Sequence, residues 1–106
     1  MIELSEDNLD AVLMSNPKVI VQYGATWCGN CKLMKPKFKK LASENPDMTF
    51  IYVDAEKFPS SRQYANVNNL PTFAGFVNTQ LVNQAQGNKI EVIQTVIDSV
   101  NETTNN

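Results

Sequence analysis

Val19-Ile20-Val21-Gln22-Tyr23 is a nearly continuous apolar, β-branched run, and it limits the fold more than any other segment. A strand with one face in water alternates apolar and polar residues. A strand that is apolar at almost every position is covered on both faces. Thr49-Phe50-Ile51-Tyr52-Val53 has the same character. A sheet buried on both sides within 106 residues needs helices above and below it. That length is one domain, 1–106, with nothing left for a second.

The remaining segments supply those helices. Ile2 to Leu4 reads as a short strand, and Ser5 is placed to cap a helix to about Met14, with Glu6 and Asp7 in its first turn. Asn16-Pro17 ends it. Beyond Gly24, Cys31, Met34, Phe38 and Leu41 recur at helical spacing with lysines between them, and Pro36 is placed to kink that helix. Phe58 to Ala65 reads as a short helix with Pro59 near its first turn. Thr72 to Val77 and Leu81 to Ala85 flank Asn78-Thr79-Gln80 as a β-hairpin. Ile90, Ile93, Val96, Ile97 and Val100 form one stripe on a closing helix, followed by a polar tail, 101–106, expected to fray. The order βαβαβαββα predicts an α/β fold, a central mixed sheet with helices on both faces.

Composition removes several functional classes. A hydrophobic fraction of 42% is too high for a disordered chain. Nine basic and 11 acidic residues, net −2, give no footprint for nucleic acid. The local lysines (Lys32, Lys35, Lys37, Lys39 and Lys40) read as a solvated helix face. No stretch approaches the ~20 apolar residues of a membrane span. The acidic start Met1-Ile2-Glu3-Leu4-Ser5-Glu6-Asp7 lacks the pattern of a signal peptide, so with Met1 as the natural start a cytoplasmic protein is expected. There thiols are mostly reduced, and two cysteines three positions apart are working groups rather than a staple.

Those cysteines, Cys28 and Cys31, stand between the buried strand and the amphipathic helix. Cys28 thus falls near a helix N-terminus, where unpaired N–H groups and the helix dipole stabilise a thiolate. Thiolate is the attacking species in disulfide exchange, and the second thiol is within reach to resolve a mixed intermediate. A permanent disulfide over so short a loop would restrict the unfolded chain little. Zinc normally takes four ligands, and two cysteines with no histidine do not supply them, so no metal is expected.

Trp27-Cys28-Gly29-Asn30-Cys31-Lys32 resembles the W-C-G-P-C-K signature of thioredoxins. Pro36 fits the family's helix-kinking proline, Val53-Asp54-Ala55-Glu56 its V-D-V-D strand end, Leu70-Pro71-Thr72-Phe73 its cis-proline segment, and Gly87 the glycine of a third loop. The resemblance covers essentially the whole chain and implies the thioredoxin fold. It implies that Cys28 is the exposed nucleophile, that Cys31 is the more buried resolving thiol, and that Pro71 is cis. It further implies that backbone at Leu70 and Thr72 pairs with an extended substrate. Trp27, Pro71 and Gly87 would border an apolar groove, with Gly29 and Asn30 also on the substrate side.

Three departures from the family bear on mechanism. Asn30 replaces the proline between the cysteines; it adds an N–H near the sulfurs and is expected to stabilise the Cys28 thiolate. That would place the reduction potential above the roughly −270 mV of thioredoxin. Gln22 stands where the family often has a buried aspartate, and Tyr52 where the accompanying lysine is expected. Glutamine cannot accept a proton at neutral pH, so slower release of mixed disulfides, or release through water, is expected. Gly24 replaces an aromatic residue and leaves room beside the site. Asn78-Thr79 replaces the familiar Asn-Gly turn, a change expected only to lower stability.

The resemblance therefore implies a protein-disulfide reductase; no residue suggests a bound cofactor beyond the Cys28–Cys31 disulfide, and with no obvious extra apolar surface left after the core is assigned a monomer is expected. Its partners would be oxidised client proteins and an NADPH-dependent thioredoxin reductase. The alternatives are a glutathione-coupled or mildly oxidising exchanger, or a thioredoxin-fold binding subunit whose cysteines are incidental.

Overall fold

The two apolar runs lie side by side at the middle of one sheet in the computed structural model, which describes residues 1–104. β2 (Lys18–Gly24) pairs in parallel with β3 (Thr49–Asp54), from Val19 opposite Thr49 to Gly24 opposite Asp54. On its other side β2 runs antiparallel to β4 (Thr72–Val77). β1 (Ile2–Glu3) and β5 (Gln80–Gln86) complete the edges, giving the order β1-β3-β2-β4-β5.

Because side chains alternate across a strand, this central position gives β2 two buried faces. Val19, Val21 and Tyr23 join Ile51, Val53, Ala74 and Phe76 in one layer under α1 (Leu9–Ser15), with Leu9 and Leu13 packed on them. Ile20, Phe50 and Phe73 join the opposite layer under α2 (Gly29–Glu44) and α3 (Ile90–Thr104). α2 contributes the expected Cys31, Met34, Phe38 and Leu41 to the interior, and α3 contributes Ile93, Val96, Ile97 and Val100. The Phe38 ring lies 5.1 Å from that of Phe50 and 6.1 Å from that of Phe73, stitching α2 to two strands. Pro36 lies inside α2; having no N–H, it cannot make the usual helical bond to the Lys32 carbonyl.

Four details differ from the sequence expectations. α1 begins at Leu9 rather than after Ser5. The Leu4 N–H is held by the Tyr52 carbonyl at 2.9 Å, and the Asp7 carboxylate accepts the Ser60 N–H at 3.2 Å, so both are used before a helix can start. The segment after Phe58 is a 3₁₀ helix, Pro59–Tyr64, rather than an α-helix. The hairpin loop has two residues, because Gln80 already pairs with Val77. α3 runs on through Asn101–Thr104 of the polar tail, with the hydroxyls of Thr103 and Thr104 bonded back to the carbonyls of Ser99 and Val100. Asn105 and Asn106 lie outside the described residues.

Candidate functional site

β2 ends at Gly24, and the chain needs only Ala25-Thr26-Trp27 to reach the first turn of α2. Cys28 is the N-cap residue of that helix. Its sulfur takes the place of the usual capping oxygen, with the Cys31 N–H donating to Cys28 Sγ at 3.1 Å. The two cysteines form a disulfide, with their Cα atoms 5.2 Å apart. Cys31 is fully buried and Cys28 is 5% exposed, so in the disulfide both cysteines are buried and Cys28 presents only an edge rather than an exposed sulfur. Ala25 and Leu70 pack on the pair.

Trp27 is 66% exposed, yet its indole is fixed: Nε1 donates to Glu56 Oε1 at 2.7 Å. Glu56 is itself placed by the turn after β3, where Asp54 Oδ1 accepts the N–H groups of Glu56 and Lys57 at 3.0 Å each. Gly29 and Asn30 are exposed on the outer side of the first turn of α2.

The Leu70–Pro71 bond is cis. Thr72 lies opposite Tyr23 on one side and Gln86 on the other, which puts Pro71 at the end of β4 from which Gly24 leads to the cysteines. The same register brings Gly87, directly after Gln86, to this end of the sheet. Its φ is +148°, which favours glycine, and a Cβ there would meet Val92. Thr72 departs from expectation. It is 0% exposed between two strands, so it offers no backbone to a substrate, whereas Leu70 remains partly open. The Thr72 hydroxyl instead donates to the Asn69 carbonyl and accepts from Gln86 Nε2 at 3.0 Å.

Sequence reasoning did not find the clamp behind this loop. The Gln84 amide mimics a strand partner, accepting the Asn66 N–H and donating to the Asn66 carbonyl at 2.8 Å each. Alternating glutamines on a strand carry a weak signal, since surface amides are common.

Beneath the cysteines, Gln22 is fully buried and lies opposite Tyr52 in the parallel register, as the paired departure from the family required. Gln22 Nε2 donates to the Cys31 carbonyl at 3.1 Å, while Oε1 has no partner. The room expected at Gly24 is occupied: a Cβ there would fall on the Tyr52 hydroxyl and 2.9 Å from Tyr52 Cζ. Lys35 stands over the Tyr52 ring, 4.3 Å from its centroid, and pairs with Glu3. Burial pushes the Tyr52 phenol above its ordinary 10.0, and the Lys35 ammonium works against that. Among the described residues no group of three or more His, Cys, Asp or Glu side chains could hold a metal, and no helix is long and apolar enough to cross a membrane.

The sequence matches the family model described as Thioredoxin over residues 1–99. A relative from Streptomyces coelicolor, named as a thioredoxin 2, is 37% identical over 71 residues, covering 67% of this chain and 53% of that protein. Thioredoxin-3 of Dictyostelium discoideum is 30% identical over 95 residues, covering 90% of each chain. Among solved structures, the reduced thioredoxin pre-protein of Schistosoma mansoni superposes with a TM-score of 0.80 at 36% identity, over 95% of both chains. A strand-to-helix turn with a cysteine pair at disulfide distance, on a mixed sheet of this order, performs dithiol exchange with disulfides. The chain belongs to the thioredoxin family and is a thiol–disulfide oxidoreductase.

Proposed function

We propose that Cys28 is the nucleophile and Cys31 the resolving thiol in the reduction of protein disulfides. The observation that carries this is the capping of α2 by Cys28 Sγ: its acceptor position becomes a thiolate site once the disulfide is opened. The Cys28 thiolate attacks a substrate disulfide, forming a mixed disulfide and expelling one substrate thiolate, which takes up a proton. Cys31 then loses its proton and attacks Cys28 Sγ. The Cys28–Cys31 bond forms, the mixed bond breaks, and the second substrate thiolate leaves with the electron pair.

Trp27, Pro71 and Gly87 border the groove in this reading. The Leu70 backbone pairs with an extended client, Thr72 holds that segment from beneath, and Gly29 and Asn30 face the client across the cysteines. The protein works as a single-domain cytoplasmic monomer, without a bound cofactor. An NADPH-dependent thioredoxin reductase returns it to the dithiol.

Trapping tests the assignment. With a disulfide-bonded client, Cys31→Ser should accumulate a mixed disulfide at Cys28, and Cys28→Ser should accumulate none. Equal trapping by both variants overturns it.

Asn30 favours a second, narrower reading: glutathione-coupled or mildly oxidising exchange. Asn30 occupies the first turn of α2, where N–H groups have no intrahelical partner, and it supplies a donor that proline lacks. A potential above roughly −270 mV, returning toward that figure in Asn30→Pro, supports this reading; a value at or below it in the unaltered protein removes it.

A further inference from the structure

Gln22 is the one residue whose side chain enters the interior at the cysteines and is left half-satisfied among the described residues. Its Nε2 holds the Cys31 carbonyl at 3.1 Å, and its Oε1, fully buried, accepts nothing. A buried carbonyl without a donor costs free energy, so native structures rarely retain one without a reason. The side chains across the sheet do not supply the donor: Gln22 lies opposite Phe73, whose ring has none, and opposite Tyr52, whose hydroxyl lies over Gly24. In the disulfide, Cys31 sulfur carries no hydrogen either. Opening the disulfide is the step that creates a donor here, on the same residue that already holds the Gln22 amide.

We propose that the Gln22 side-chain carbonyl is the acceptor for the Cys31 S–H in the dithiol state, which makes Gln22 a positioning residue that holds the resolving thiol protonated. This rests on the reading above that Cys31 resolves. The bond exists in one redox state only. On reduction the disulfide takes two electrons and two protons from an incoming dithiol, and one proton stays on Cys31 facing Oε1. On resolution that proton must leave, and an amide cannot take it, so the departing substrate thiolate or solvent does. The ionisable groups around this end of the sheet are Cys28 at the N-cap of α2, Lys32 and Lys35 on α2, Tyr52 and Asp54 on β3, Glu56 and Lys57 in the turn after it, and Glu3 on β1. Gln22 thereby stabilises the dithiol, draws the couple toward oxidation of its partners, and slows resolution.

The test is infrared spectroscopy of the Cys28→Ala chain, which retains a single thiol. Its S–H stretch should lie at the lower wavenumber of a bonded thiol. It should rise in Cys28→Ala with Gln22→Met, and stay low with Gln22→Glu, which keeps an acceptor. A band at the unbonded position in Cys28→Ala itself overturns the proposal without any change at residue 22. In the two-cysteine protein, Gln22→Met should shift the equilibrium with glutathione about three- to tenfold toward the disulfide, tenfold being roughly 30 mV. The Nε2 bond to the Cys31 carbonyl does not explain such a shift, because it is already present in the disulfide form. An unchanged equilibrium overturns the proposal. Neither measurement needs a client protein, so failure of the trapping experiment and failure of this inference are separable.

Discussion

Tyr23 sends its hydroxyl to the Ser61 carbonyl, 2.9 Å away, from a fully buried position. Burial, with a smaller push from Tyr64, raises its pKa far above the ordinary 10.0. The folded chain therefore keeps a proton that the unfolded chain gives up. The stability this represents is complete below about pH 10 and is lost as pH climbs from there toward the folded value. Tyr23→Phe should cost about 1 kcal/mol at neutral pH through the lost hydrogen bond. It should also flatten the alkaline decline, which urea unfolding at neutral pH and above about pH 10 measures. A variant with the same alkaline slope as the parent would assign that decline to other groups. The trio Gln22, Gly24 and Tyr52 carries a related lesson: the phenol end of Tyr52 fills the volume a side chain at 24 would need, so these departures from the family belong together.

The hairpin and the α3–β4 contact are the elements where backbone geometry makes sharp demands. Asn78 and Thr79 both have positive φ, 49° and 72°, the conformation of a type I′ turn. Asparagine tolerates it; β-branched threonine does not. Thr79→Gly should stabilise the protein by about 1 kcal/mol, seen as a higher thermal midpoint. At Gly75 the reverse holds, since a Cβ would lie 2.7 Å from Val100 Cγ2 and 2.8 Å from Val96 Cγ1. Gly75→Ala should cost about 1–3 kcal/mol by overpacking, and a neutral result would mean α3 can slide on β4.

The strands β2 to β4 and the helices α2 and α3 were legible because each buries a face with a clear period, as the Cys31, Met34, Phe38 and Leu41 series does. The cysteine pair was legible from its place between strand and helix. The start of α1 was not, because Asp7 is engaged by Ser60, 53 residues away. Nor was the Gln84–Asn66 clamp, for it depends on two segments meeting in space. Thr72 was misread because a motif names a position without saying which of its atoms the sheet has already used.

At the scale of the whole molecule, one sheet separates two apolar layers. Leu13 belongs to the α1 layer and Ile97 to the α3 layer, with the strands between them. Leu13→Ala should cost about 2–5 kcal/mol and Ile97→Val about 0.5–1.5 kcal/mol. Denaturant unfolding of the double variant should return their sum to within about 0.5 kcal/mol; a larger discrepancy would show that the layers relax together through β2.

Trp27, the chain's single tryptophan, adjoins one end of the disulfide in sequence and is held in place by Glu56. Disulfides quench indole emission at short range. The molecule thus contains a lamp placed beside its own switch, and the emission of an unlabelled sample should rise as the Cys28–Cys31 disulfide opens.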